Sequence, residues 1–227
     1  MSTLHYIEKG NGSEVMVMLH GNNESSAYFR HQIEYFSLMY KVIAIDSRGH
    51  GLSPRGDKPM TLMQMTEDLK NFLDHKGIDK VILLGFSDGA NIALLFTLKY
   101  PSYTSKLILN GANLYPAGVR FSVQYPIKMY RKFLEWLSKR DKDFISNLEI
   151  INLMVDEPHI HPSSLFHIEC PTLIIAGSRD MVKRAHTMLI RVCIPHSHVC
   201  LIKGDHFVAL KKSNLFNLKV AQFLSIY

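Results

Sequence analysis

A chain of 227 residues that is 47% apolar has the size and composition of one compact domain, 1–227, with little room for a second. Its net charge of +6 comes from scattered basic residues, and the one cluster, residues 120–142, sits among Glu135, Asp141 and Asp143; a solvated basic face is expected and nucleic-acid binding is not. No run of about 18 uncharged apolar residues occurs, so neither a transmembrane helix nor a membrane partner is expected, and three cysteines (Cys170, Cys193, Cys200) without metal-type spacing point to reduced thiols in the cytoplasm.

The first ten residues mix His5, Glu8 and Lys9 into apolar neighbours, which is not a signal-peptide pattern. Residues 3–8 alternate and meet Gly10-Asn11-Gly12, which predicts an antiparallel edge strand. Apolar runs then recur at 15–19, 42–45, 81–84, 107–109, 173–176 and 199–202, rich in β-branched residues and without polar alternation. That is the pattern of parallel strands covered on both faces. Helical spacing fills the intervals 28–38, 62–75, 88–100, 183–192 and 214–225, so the fold class is α/β with a mostly parallel sheet flanked by helices. One interval, about 115–162, has no strand candidate. After Pro126, the residues Ile127, Tyr130, Phe133, Leu134 and Leu137 repeat at helical spacing, as do Phe144, Leu148, Ile151 and Val155. Two amphipathic helices placed there read as a short helical lid, or as ordinary packing helices.

The chemistry is carried by Gly85-Phe86-Ser87-Asp88-Gly89, set between the strand 81–84 and the helix that follows. A strand that reverses sharply into a helix leaves its serine strained, with the hydroxyl projecting and flanking glycines avoiding collision. Serine is a poor nucleophile at neutral pH and needs a base that is itself held by an acid. Two later strands end in suitable residues: 173–176 runs into Gly177-Ser178-Arg179-Asp180, and 199–202 into Lys203-Gly204-Asp205-His206. Twelve histidines compete for the base role, and His206 is selected by its loop, strand context and chain order. Asp205 is an alternative acid, but adjacent side chains on extended chain diverge, and the loop after 107–109 offers only Asn110, Gly111 and Ala112. Asp180 is therefore the expected acid. The oxyanion hole would use the backbone N–H of Asp88 and of Asn22, in the loop His20-Gly21-Asn22, with His20 a structural hydrogen-bonding residue.

Those motifs, together with Asp46-Ser47-Arg48-Gly49-His50-Gly51-Leu52-Ser53, resemble the α/β-hydrolase superfamily in order and spacing from about Val15 onward. The likeness is to small, single-domain, carboxylesterase-like serine hydrolases. It implies an α/β-hydrolase fold with the lid inserted after the sixth strand. It also implies cleavage of an ester, thioester or amide of a small molecule through an acyl-enzyme, without a cofactor. A lyase or perhydrolase on the same triad, or a ligand-binding module with a slow triad, are the alternatives. Asp88 departs from the pattern, being acidic where an apolar residue is common. It reads as a first-turn helix acid, expected to point away from the cleft or be paired, or as an attractor for a cationic substrate group. Tyr130 and Trp136, with Tyr125 and Phe133, offer substrate contacts or simple lid packing. Gly49-His50-Gly51 lacks the third glycine of a dinucleotide loop. His159/His161 and His196/His198 lack a third ligand, so no metal is expected.

Overall fold

The computed structural model describes residues 4–227, and Thr3 of the anticipated edge strand lies outside them. Seven strands, β1 (Tyr6–Lys9), β2 (Val15–Leu19), β3 (Lys41–Ile45), β4 (Val81–Phe86), β5 (Thr104–Asn110), β6 (Thr172–Gly177) and β7 (Ser197–Ile202), form one sheet in the order β1-β3-β2-β4-β5-β6-β7. The β1–β3 pair is antiparallel and the rest are parallel. Strand alternation sorts the core into two layers. Val17, Leu19, Ile43, Ile45, Leu83 and Leu109 face α2 (Leu62–Lys76), α3 (Asp88–Lys99) and α6 (Arg184–Cys193). Met16, Met18, Val42, Ala44, Leu84 and Phe86 face α1 (Arg30–Phe36) and the C-terminal pair α7 (Val208–Lys211) and α8 (Ser213–Ile226). β7 departs from the expectation of full burial: as the far edge strand it exposes His198 and Leu201.

Helix boundaries follow local chemistry. Thr61 opens α2 by accepting from the Gln64 amide at 3.0 Å, and Gly77, at φ +65°, closes it with its amide on the carbonyls of Leu73 and Asp74. The loop 46–53 is a structural knot. Asp46 accepts from the amides of Ser26 (2.7 Å) and Leu52 (2.9 Å), and Arg48 grips Asp68 of α2 through two bonds of 2.7 and 2.6 Å.

The insert consists of α4 (Phe121–Ser138) and α5 (Ile145–Asp156). It follows the fifth strand of this chain rather than the sixth, because a single strand, β1, precedes the run of parallel strands. α4 begins at Phe121, before the expected start, and carries Pro126 inside its second turn, close enough to the helix N-terminus that only one intrahelical bond, to Ser122, is forgone. The insert is rooted beside the β6 loop. Arg120 N donates to Met181 O, Lys183 N to Gly118 O, and Leu114 N to His186 Nε2, each at 2.9 Å. Burial holds His186 down at about 4, so it stays neutral and keeps that acceptor. Among the described residues, no helix is long and apolar enough to cross a membrane.

The chain leaves β2 toward β3, then crosses back over β2 to β4. The carboxyl ends of β2 and β4 therefore flank a topological switch point, where open α/β sheets bind ligands.

Candidate active site

β4 ends at Phe86 and α3 begins at Asp88, so Ser87 alone reverses the chain, at φ 53° and ψ −120°. A β-carbon resists that conformation, and the surroundings must impose it. Ser87 N donates to Asn110 O at 2.8 Å, and Ser87 O accepts from the amides of Ala90 (2.9 Å) and Asn91 (3.0 Å). Both glycines are required by packing. A β-carbon on Gly89 would run into the carbonyl oxygen of Leu19, and one on Gly85 would lie 2.5 Å from Ala90 Cα.

His206, in the loop after β7, donates from Nδ1 to Asp180 Oδ1 at 2.6 Å, and both side chains are almost wholly buried. Asp180 also accepts from the amides of Gly177 and Val182, at 3.0 Å each. Burial alone would raise its carboxyl, but the bond and charge of His206 and the two amides hold it below the usual carboxylate range. With Nδ1 acting as donor, Nε2 of the neutral ring carries the lone pair. That atom is buried without a hydrogen-bond partner among the described residues. His206 and Ser87 line the same cavity. Asp205 is turned elsewhere, accepting from Phe207 N (3.0 Å) and Lys211 Nζ (2.5 Å).

The loop after β2 lies against this centre. Gly21 packs so closely that an added β-carbon would stand 3.1 Å from Ser87 Cβ. His20 donates from Nδ1 to Gly21 O (2.7 Å) and accepts at Nε2 from Ser47 N (2.9 Å). Burial keeps its ring neutral, down at about 4. Both nitrogens are used, so His20 is structural. The Asn22 side chain donates to Asp88 Oδ2 (3.0 Å) and to Ile150 O of α5 (2.9 Å), which brings the two expected oxyanion residues together under the lid. Asp88 is thus paired, as anticipated, yet it also lines the cavity. Burial pushes its carboxyl up to about 6 against the pull of the Asn22 bond.

The insert's share of the cavity wall is Gln124, Ile127 and Met154, with Glu157 just past α5. Tyr130 and Trp136 do not line it and are about half exposed. The helical period places Trp136 opposite Ile127 and Leu134, which face inward, and Tyr130 at the flank of that inward face. Among the described residues no three His, Cys, Asp or Glu side chains converge as metal ligands.

A family model described as alpha/beta hydrolase fold matches residues 14–125. Serine hydrolase BPHL of Mus musculus is 30% identical over 242 residues, covering 97% of this chain and 82% of the mouse protein. The chain belongs to the α/β-hydrolase family. It is also similar to 2-hydroxy-6-oxononadienedioate/2-hydroxy-6-oxononatrienedioate hydrolase 2 of Pseudomonas putida, with 26% identity across 97% of this chain and 91% of that one. MGS-M2, an alpha/beta hydrolase enzyme from a Medee basin deep-sea metagenome library, superposes with a TM-score of 0.82 at 21% identity, over 98% of this chain and 94% of the other. The protein is a hydrolase.

Three residues beside this α/β hydrolase's site were given no role by the sequence reading. Glu157 lines the cavity while accepting from Leu62 N at the start of α2 (2.9 Å), and burial raises its carboxyl. Glu24 accepts from Gly21 N (3.3 Å), and burial pushes it up to about 7 against the charge of His206. Gly111, at φ +68°, lies so near the imidazole that a β-carbon would be 2.5 Å from His206 Cε1. Only the glycine carried a signal: it stands in the acid-free loop after β5.

Proposed function

We propose that the enzyme cleaves a carboxylic ester, or a related thioester or amide, of a small molecule through an acyl-enzyme on Ser87. The observation that carries this reading is the buried, partnerless Nε2 of His206, in the same cavity as Ser87, with Nδ1 held by Asp180 at 2.6 Å. Ser87 Oγ attacks the carbonyl carbon as His206 Nε2 takes its proton, and Asp180 supports the imidazolium. The amides of Asn22 and Asp88 receive the oxyanion. The proton passes to the leaving group, and a water activated by His206 then releases the acid.

Asp88 and Glu157 set two carboxyl groups in the cavity wall beside Ser87, which favours a substrate bearing a cationic group such as an amine. All three cysteines are free thiols, in keeping with one domain working in the cytoplasm.

A fluorophosphonate probe should label the wild-type protein and not Ser87→Ala, and a nitrophenyl ester should give a burst. Asp180→Asn should lower turnover ~10⁴-fold with the fold intact, by comparison with serine-protease triads. Aminoacyl esters should be preferred over neutral esters of equal size, and Asp88→Asn should erase that preference. Labelling that persists in Ser87→Ala would overturn the serine chemistry.

A further inference from the structure

α4 is the least buried long helix of the molecule relative to its apolar content. Of its 18 residues only Leu134 is buried, although the helix contains six large aromatic or sulfur-bearing side chains. Phe121, Tyr125, Met129, Phe133 and Trp136 follow one another at spacings of four, four, four and three, so they form one stripe along about 22 Å of helix. Phe121 is 75% exposed, Phe133 52% and Trp136 49%. The stripe exceeds what lid packing needs, since about half or more of each of its side chains faces solvent, and it is not a substrate wall, because Gln124 and Ile127, which line the cavity, lie on another face of the helix.

The charges beside the stripe are of one sign. Lys128, Lys132, Lys139 and Arg140 flank it, and none forms an ion pair among the described residues. Arg140 stacks on Trp136 at 3.6 Å from the ring. The only acid within the helix, Glu135, is held by Arg131, which also grips Asp156 of α5. A second copy of the chain would bring the same four cations against themselves, so self-pairing is opposed. Aromatic side chains interleaved with lysines on one outward helix face suit a surface that is apolar within and anionic at its rim.

We propose that this face of α4 seats the enzyme on an anionic phospholipid surface, with the stripe entering the headgroup boundary and the four cations meeting lipid phosphates and carboxylates. The expectation of no membrane partner rested on the lack of a spanning helix, which says nothing of a peripheral contact. The contact is independent of the serine chemistry and is read without it. Trp136 is the only tryptophan in the chain, so its emission reports on the stripe alone.

The wild-type protein is titrated with vesicles of phosphatidylcholine, and of phosphatidylcholine mixed with phosphatidylserine, following tryptophan emission and co-sedimentation. Anionic vesicles should pellet the protein and move the emission to the blue, and neutral ones should do neither. Lys128→Gln/Lys132→Gln should weaken partitioning roughly thirtyfold, and Phe121→Ser/Phe133→Ser should abolish it. Both double variants alter exposed side chains and should keep wild-type turnover of a water-soluble ester, which guards against misfolding. Unchanged emission and no pelleting with anionic vesicles would overturn the proposal. So would equal binding to neutral vesicles, or a blue shift that appears without lipid as the protein dimerises or meets an acidic protein.

Discussion

Replacing Asp88 by Asn should make the enzyme more stable, and by an amount that depends on pH. Burial raises the Asp88 carboxyl from 3.8 to about 6 in the folded protein. The unfolded chain therefore gives up this proton more readily, and the folded state loses stability as pH rises from about 4 to about 6, then no further. At 1.36 kcal/mol per unit the full penalty is ~3 kcal/mol. Asparagine has nearly the same shape and keeps an oxygen for the Asn22 donor that now reaches Asp88 at 3.0 Å, but it has no charge to desolvate. The gain of Asp88→Asn over wild type should thus be small at pH 4 and reach ~3 kcal/mol at pH 8, or about 6–12 °C in melting temperature for a chain of this size. Calorimetric melts of both proteins across that range provide the assay, since groups common to both cancel in the difference. A gain independent of pH, or a loss at pH 8, would refute the claim that the carboxylate sits charged in the cleft at a cost in stability.

Glu24→Gln should behave similarly at higher pH: burial puts Glu24 at about 7, so the variant's advantage should grow between about pH 4.5 and 7 and be seen in urea unfolding at pH 9 against pH 5. Gly111→Ala should leave circular dichroism unchanged but cut kcat about a hundredfold, because its β-carbon displaces the His206 ring. Gly89→Ala should cost more than about 4 kcal/mol and fail to give folded protein, since the new methyl meets the backbone of Leu19. Gly77→Ala, where no atom lies within 4 Å, should cost only the left-handed backbone strain of ~1–2 kcal/mol; equal losses at the two glycines would show that packing is not what selects Gly89.

The sequence was informative wherever local chemistry decides the outcome. β2 matches the predicted run 15–19 residue for residue, and α2 differs from 62–75 by one residue at its C-terminal end, because apolar periodicity, the Thr61 cap and Gly77 all act within a few residues. The candidate positions Ser87, His206 and Asp180 could be named for the same reason, each being the first suitable residue beyond a strand. What escaped depends on distant segments meeting. Glu24 and Glu157 belong to loops far apart in the chain, and nothing in their neighbours announces burial near Ser87. The lid misled in two ways. Pro126 resembles a helix start, yet it lies near enough to the N-terminus of α4 to be tolerated inside. Tyr130 and Trp136 were candidates for substrate contact because composition does not reveal which face of a helix meets the sheet.

The amide of Asn22 spends one hydrogen on Asp88 and the other on the carbonyl of Ile150, which has a consequence for entry into the cavity. Lifting α5 would break the second bond and admit water to a carboxyl whose proton affinity is set chiefly by its seclusion, with the Glu157 carboxyl nearby raising it further. Access and protonation then form a single thermodynamic cycle: deprotonation of Asp88 favours the open form, and a proton, or a cationic group docking in its place, favours closure. On the cationic-ester reading proposed above, a bound amine would in this way draw the roof down over its substrate.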